Sequence, residues 1–342
     1  MGTNGRRTGR PTLEAVAQRA GVGRGTVSRV VNGSPRVSDQ ARAAVQAAIA
    51  ELGYVPNRAA RTLVTSRTDS VALVIPESES RLVAEPYFTA IIRGVSAELA
   101  DTDMQLLLIL VRNARERERL AGYLTSHRVD GVLLVAVHRD DRLAELLERI
   151  EIPAVLAGRR SGTEPLTHVH PDNVGGAVRA VRHLLERGCR NVATITGPLD
   201  MDVGHARLQG WSEALRAGGA EPEDDLVATA DFTEEGGREA MRALLERRPD
   251  LDGVFAASDV MAAGALQVLR EHGRRVPEDV AVVGFDDSIV ARHTDPPLTS
   301  VRQPVEEMGR TMARLLLEQI AEPGGERRHV VLDTELVLRD SA

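Results

Sequence analysis

Lysine is absent from this 342-residue chain: all 43 basic side chains are arginine. With alanine and glycine so abundant, this fits a genome rich in G and C and says little about function. Cysteine occurs once, at Cys189, which excludes an internal disulfide and a cysteine-based metal cluster and suits a reducing cytoplasm. Cys189 itself reads as a small buried side chain near a helix end. No apolar run reaches the roughly 18 residues that cross a bilayer, so no membrane-spanning segment is expected. The N-terminal MGTNGRRTGR has no hydrophobic stretch behind its arginines; it reads as a flexible basic arm and not as a secretory signal.

What is present is a strong asymmetry of charge. The whole chain carries a net charge of −7, but residues 1–68 hold 11 arginines against three acids, Glu14, Asp39 and Glu51, a net of +8. Residues 69–342 hold 32 arginines against 47 acids, a net of −15. A basic segment on an acidic body is the footprint expected of a nucleic-acid partner. The length accommodates a small headpiece plus two ordinary domains, and a hydrophobic content of 42% is ample for large cores.

Residues 11–64 divide into short amphipathic helices. Thr12 can cap the first, which buries Leu13, Val16, Ala17 and Ala20 and ends at Gly21. After the Gly21-Val22-Gly23 turn, a second helix from about Arg24 to Asn32 buries Val27, Val30 and Val31. It leaves Arg24, Thr26, Ser28 and Arg29 largely outward. Gly33-Ser34-Pro35 breaks the chain, and Ser38 caps a third helix closed by Gly53. Two helices joined by a three-residue glycine turn form the helix-turn-helix pattern.

Residues 12–63, with TVSRVVNG, the ELGYVPN turn and the basic RAARTL segment, resemble the headpiece of the lac-repressor/galactose-repressor family. One departure is Gly23, where the family usually places a serine cap; it costs only a few tenths of a kcal/mol. The resemblance implies that Arg24 and Gly25 stand where base edges are read in the major groove, Gly25 allowing close approach because it has no side chain to read with, and that Ser28 and Arg29 meet bases or phosphates. Thr12, Thr26, Asn32 and Tyr54 join this DNA-facing set. Asn57 to Leu63 then stands as the hinge helix, with Asn57, Arg58 and Ala60 at the DNA and Leu63 as the minor-groove wedge. The alternative for Leu63 is a linker leucine packed on its own headpiece. Arg24 favours a guanine in each half-site, and the family's wedge favours a central CG step.

From Val71 onward, apolar runs alternate with helical stretches. VALVIP (71–76), QLLLIL (105–110), GVLLVAV (131–137) and PAVLAG (153–158) read as strands buried on both faces, with helices near 88–101, 114–127 and 141–149. A second series, NVATITGP (191–198), LVATADF (226–232), GVFAASD (253–259) and VAVVGFDD (280–287), has helices near 174–188, 204–217, 234–248 and 260–272. Two such series predict two doubly wound subdomains with parallel sheets.

This body resembles the periplasmic-sugar-binding-protein fold of the same family. The expected fold is therefore an all-α helix-turn-helix headpiece with a hinge helix, followed by an α/β core of two parallel-sheet subdomains. The expected limits are a basic arm at 1–10, a DNA-binding domain at 11–55 and a hinge and linker at 56–68. The N-subdomain would take 69–167 plus about 300–325, and the C-subdomain 168–298 plus about 326–342. Chain crossings are placed near 167–171, 297–301 and 324–330.

Ligands of such sheets bind beyond the carboxyl ends of the strands. By resemblance, Arg207 in GHARLQGW donates paired hydrogen bonds to an effector, and Asp286 in VGFDDS accepts from sugar hydroxyls. Ser258 and Asp259 close a strand, and Gln303 follows a crossing. His138 and Arg159 likewise stand at strand ends. The chain has only eight aromatics. Tyr87, Phe88, Phe232 and Phe285 fall near cleft edges, where a ring can serve a sugar's apolar face, whereas Trp211 reads as core. The family often has an effector-binding aspartate where this chain has Gly158, which puts the precise sugar contacts in question.

Other chemistry is disfavoured. Gly21 to Gly25 has no preceding strand and so is no dinucleotide loop. His168 and His170 share a strand face without a third ligand nearby in sequence. Asp286 and Asp287 are strand neighbours that point to opposite faces, and no nucleophile–base pair accompanies them. No enzyme, metal or cofactor is expected.

The resemblance implies a cytoplasmic homodimeric transcription factor, most simply a repressor, on a palindromic double-stranded operator and released by a sugar effector. No leucine-heptad tail follows HVVLDTELVLR, so a tetramer is not expected. Within the family, GVGRGTVSRVVNGSPRVS, AEPYF, RERERLAGYLTSHRVDGVLLVAVHRDD and GPLDMDVGHARLQG resemble cellobiose-responsive repressors of actinobacteria. That implies control of cellulose or β-glucan use, with cellobiose or a short cello-oligosaccharide as inducer. Another sugar, or a solute-binding protein without a DNA role, are the alternatives; the headpiece and the missing signal disfavour the latter.

Overall fold

The computed structural model of the chain describes residues 11–31, 34–55, 67–140 and 142–342. It divides into two compact units, Met1–Thr68 and Asp69–Ala342.

In the first unit, α1 (Leu13–Ala20), α2 (Arg24–Val31) and α3 (Asp39–Leu52) follow the cap and stop residues of the sequence. The Thr12 and Ser38 hydroxyls accept hydrogen bonds from the Ala15 and Ala41 backbone N–H groups. Gly21 and Gly53 close α1 and α3 at φ +67° and +61°, a left-handed conformation that is cheapest for glycine. The Gly23 carbonyl accepts from Thr26 and Val27, so backbone starts α2 where a serine cap is missing. Val16, Ala17, Val27, Val30, Val45, Ala48 and Tyr54 form the core, while Leu13, Ala20 and Val31 are only partly buried around it. Arg19 also ties α1 to α3 through Glu51.

In the second unit, the first series runs β1 (Ser70–Ile75), α4 (Glu79–Ala84), α5 (Pro86–Leu99), β2 (Gln105–Leu110), α6 (Ala114–Thr125), β3 (Gly131–Leu134), α7 (Arg142–Arg149), β4 (Ala154–Ala157) and β5 (Thr167–Pro171). The second runs α8 (Asn173–Glu186), β6 (Val192–Thr196), α9 (Asp202–Ala217), β7 (Val227–Thr229), α10 (Glu234–Arg247), β8 (Gly253–Ala256), α11 (Asp259–Glu271), β9 (Ala281–Asp286), α12 (Ile289–His293) and β10 (Thr299–Arg302). The chain then forms α13 (Val305–Ala321), β11 (His329–Leu332) and β12 (Glu335–Val337).

Two six-stranded sheets result, in the orders β11-β5-β4-β3-β1-β2 and β12-β10-β9-β8-β6-β7. Every pairing is parallel except that of β12 with β10. The central strands are apolar throughout because helices cover both faces of each sheet. Val71, Leu73 and Ile75 pack beneath α5 and α13, while Ala72 and Val74 pack beneath α6 and α7. The second sheet shares one core with α8 to α11, in which Trp211 is buried and donates to the Val192 carbonyl.

The chain passes between the sheets later than expected. β5 completes the first sheet through Pro171, β10 keeps residues up to Arg302 in the second, and β11 keeps 329–332 in the first. A strand belongs to the sheet whose edge it pairs with, and that partner lies far away in sequence: His329 pairs with His168 and Ser300 with Val337. Among the described residues no helix is long and apolar enough to cross a membrane.

Candidate functional site

Strand order reverses at β1, which lies between β2 and β3, and at β6, which lies between β7 and β8. Such switch points open a crevice at the carboxyl ends of the strands. The two crevices of the second unit border one cavity, and eight expected residues line it: Tyr87, Phe88, Arg159, Arg207, Phe232, Ser258, Asp286 and Gln303.

Arg207 is central. It projects from the inner face of α9 and is only 4% exposed. Its Nε donates to Asn173 Oδ1 at 3.0 Å, and Nη1 donates to the Ala257 carbonyl and lies 3.6 Å from Asp286 Oδ1. The guanidinium sits 3.7 Å above the Phe285 ring. Phe285 therefore belongs to the core beneath the site and not to the cleft wall: it is the strand neighbour of Asp286, and adjacent strand residues face opposite ways. Gln303 donates to Asp286 Oδ1 at 2.5 Å. Ser258 caps α11 by accepting from Met261 N–H.

Phe232 packs against apolar groups of both subdomains and holds φ +67°, a strained value for an aromatic residue. Gly197 lies directly against its ring: a Cβ there would fall 2.1 Å from Phe232 Cζ. Tyr87 meets Phe88 edge to face with centroids 5.4 Å apart, and Phe88, 2% exposed, offers the cavity little more than an edge. Gly158 takes φ +95° and nothing lies within 4 Å of where its Cβ would be, so the cavity is open at that position.

Two expected contacts are corrected. Asp259 is fully buried and does not line the cavity; it accepts from Ser300 Oγ and from Ser288 N–H, fixing the turn that carries Asp286. His138 also lies outside the lining. Its Nδ1 is 2.7 Å from Asp200 Oδ2, and the neighbouring Arg139 N–H donates to the Asp200 carbonyl. With Arg159, whose Nε donates to Asp202 Oδ2 at 2.9 Å, His138 joins the two subdomains beside the cavity.

Several lining residues were not anticipated, notably Arg81, Glu85, His170, Asn173 and Asp202. Glu77, Arg81 and Glu85 recur every four residues, a spacing that puts charged partners on one helical side and could have marked them. Arg81 donates to both carboxylates at 2.7 Å. His170 stacks on His168, which in turn stacks on His329.

Burial raises Glu85 to about 7, more than the attraction of Arg81 can offset, and raises Asp286 to about 6 against Arg207. Arg81 is held charged because two carboxylates share it, so the protonation cost falls on Glu85. A carboxylate raised above its unfolded value lowers stability once it must ionise. That penalty is absent below the ordinary carboxylate range, grows as pH rises, and is complete above about pH 7. Glu85→Gln is therefore expected to be more stable than the parent at pH 8, by about 1–3 kcal/mol, with the difference vanishing at about pH 4. A constant difference at both pH values would show that burial of this charge is not the cause; melting curves read it.

In the first unit, Arg24, Gly25 and Arg29 are exposed on one side of α2, and Thr26 and Ser28 are half-buried. Arg24 Nε lies 3.2 Å from Glu14 Oε1, but both side chains are more than 60% exposed, so the pair is weak and readily exchanged. Thr12 uses its oxygen as the α1 cap, which leaves its O–H proton to donate. Tyr54 is corrected: its ring is buried in the headpiece core because the chain turns back there after Gly53. Asn32, Asn57, Arg58, Ala60 and Leu63 lie outside the described residues.

Residues 12–57 match the family described as bacterial regulatory proteins, lacI family, and residues 181–342 match the periplasmic binding protein-like domain. The chain is 55% identical to the HTH-type transcriptional regulator CelR of Thermobifida fusca over 97% of this chain and 98% of that one. It is 33% identical to the HTH-type transcriptional repressor CytR of Escherichia coli K12, over 96% of each. A solved complex of the transcriptional regulator CelR with cellobiose superposes with a TM-score of 0.79 at 52% identity, covering 97% of this chain and 100% of that one. The lac repressor dimer bound to operator and the anti-inducer ONPF gives 0.84 at 27% identity, covering 97% and 99%. With a helix-turn-helix unit in the same chain as two α/β subdomains that border one cavity, the chain belongs to the lacI family of bacterial transcriptional regulators.

Proposed function

We propose that this protein is a cytoplasmic, homodimeric repressor of cellulose or cello-oligosaccharide utilisation genes, released from a palindromic operator by cellobiose or a short cello-oligosaccharide. The reading rests on one coincidence. A chain so like CelR along its whole length has a cleft in which every lining arginine is already committed. Arg81 is bound by Glu77 and Glu85, Arg159 by Asp202, and Arg207 by Asn173, Ala257 and Asp286. Among the described residues each lining arginine already faces a protein carboxylate, so its charge is compensated before any anion arrives, although Arg207 keeps N–H groups that can donate to a hydroxyl. Carboxylate, amide and hydroxyl groups face the cavity beside the rings of Tyr87 and Phe232. That lining suits a neutral, hydroxyl-rich ligand with apolar CH faces.

On DNA, Arg24, Gly25, Thr26, Ser28, Arg29 and the Thr12 hydroxyl would face one half-site, with Asn32 beside them and Asn57, Arg58, Ala60 and Leu63 forming the hinge. A second copy would occupy the other half-site. The edge strand β2 supports pairing of the bodies, since its apolar QLLLIL run is incompletely covered and Leu108 is 45% exposed. The effector would act by binding one closure state of the cleft more tightly than the other. Titration calorimetry with cellobiose, maltose, lactose and glucose 6-phosphate tests the ligand class. Binding of cellobiose and not of the phosphate is expected; preferential binding of the phosphate would overturn the reading.

A further inference from the structure

Glu85 stands between α4 and α5 at the carboxyl end of β1, on the wall opposite Asp286. Its side chain is 13% exposed, and one carboxylate oxygen, Oε1, accepts from Arg81 Nε at 2.7 Å. Arg81 is itself braced by Glu77, so the carboxylate is held from behind and cannot swing freely. Among the described residues no donor reaches its second oxygen, although the group lines the cavity and is close enough to Asp286 to be repelled by it. Across the cavity, Asp286 is held in the same manner by Gln303 and Arg207. Two braced acceptors thus face one space from opposite subdomains, with Tyr87 and Phe232 beside them.

We propose that Glu85 is a specificity-determining contact of this site, accepting a saccharide hydroxyl from the first subdomain while Asp286 accepts another from the second. A neutral ligand with a hydroxyl at each end satisfies both acceptors and separates the two like charges. The charged group of an anionic sugar brings a negative charge against these two acceptors and offers neither a donor. This assignment rests on the disaccharide reading above.

The test is a cycle between protein and ligand, because truncating Glu85 alone would also disturb Arg81. Calorimetry is run with the full chain, its Glu85→Ala and Glu85→Gln variants, and the set of monodeoxy cellobioses. A buried acceptor left without its donor weakens binding sharply. One deoxy position is therefore expected to lose about tenfold or more with the parent chain but less than about twofold with Glu85→Ala. Glu85→Gln, which keeps an acceptor but no charge, is expected to fall between. Equal losses at every deoxy position in parent and variants overturn the assignment while leaving the cellobiose reading intact. If the parent chain binds no neutral disaccharide, the cellobiose reading and the Glu85 assignment both fail.

Discussion

Replacing Arg207 by alanine is expected to abolish effector binding, by at least about a hundredfold, and to leave operator affinity within about twofold. The guanidinium is buried, spends two donors on Asn173 and the Ala257 carbonyl, and stands over Phe285 beside Asp286. Its removal takes the positive charge from a buried carboxylate as well as a donor from the ligand. Truncating one member of a buried charged pair typically costs about 2–5 kcal/mol in binding, because the other charge is left unpaired. Asp286, already raised to about 6 by burial, would rise further and become a poorer acceptor at neutral pH. The headpiece is a separate compact unit with its own core, so its fold does not depend on Arg207. Calorimetry and anisotropy on an operator fragment read the two effects separately. A folded variant that still binds the sugar within fivefold of the parent would remove Arg207 from the site.

The second large effect is expected at Arg24. Its side chain is 74% exposed at the start of α2, paired with a likewise accessible Glu14. Bidentate contact with guanine is worth about 1–3 kcal/mol of discrimination. Arg24→Ala is thus expected to weaken operator binding about 10- to 100-fold and to erase the base preference at one position of each half-site. Uniform weakening across all sequences, with base preferences retained, would assign Arg24 to phosphate. Glu14→Gln serves as a control, since losing so exposed an ion pair alters stability little.

The sequence makes local features legible and tertiary ones only in part. Thr12, Ser38, Gly21 and Gly53 act through bonds to residues a few positions away, so their roles as caps and stops can be read directly. The eight expected strands are marked by apolar runs, but the runs do not tell a central strand from an edge: QLLLIL, read as buried on both faces, forms the edge strand β2, whose residues are half-buried or exposed. By contrast α13 was not anticipated, although Val305, Met308, Met312, Leu316 and Ile320 give it an apolar stripe; its place against α5 is set by the return of the chain to the first sheet. Asp259 and Asp286 looked alike as acids at strand ends. Only the fold turns Asp259 beneath the site, onto Ser300 and Ser288, and Asp286 into the cavity. Likewise Phe232 and Phe285 could not be separated by residue type. A tight turn with Gly197 beneath the ring puts Phe232 in the cleft, and strand alternation puts Phe285 in the core.

On the proposed mechanism, DNA binding by the first unit is conditional on a sugar held by the second. Fluorescence anisotropy of the full chain on palindromic DNA from upstream of its own gene, titrated with cellobiose, reads that condition. Specific binding that cellobiose reverses is expected, with maltose and glucose 6-phosphate inactive at the same concentrations. Specific binding that no disaccharide disturbs, or no specific binding at all, would contradict the mechanism.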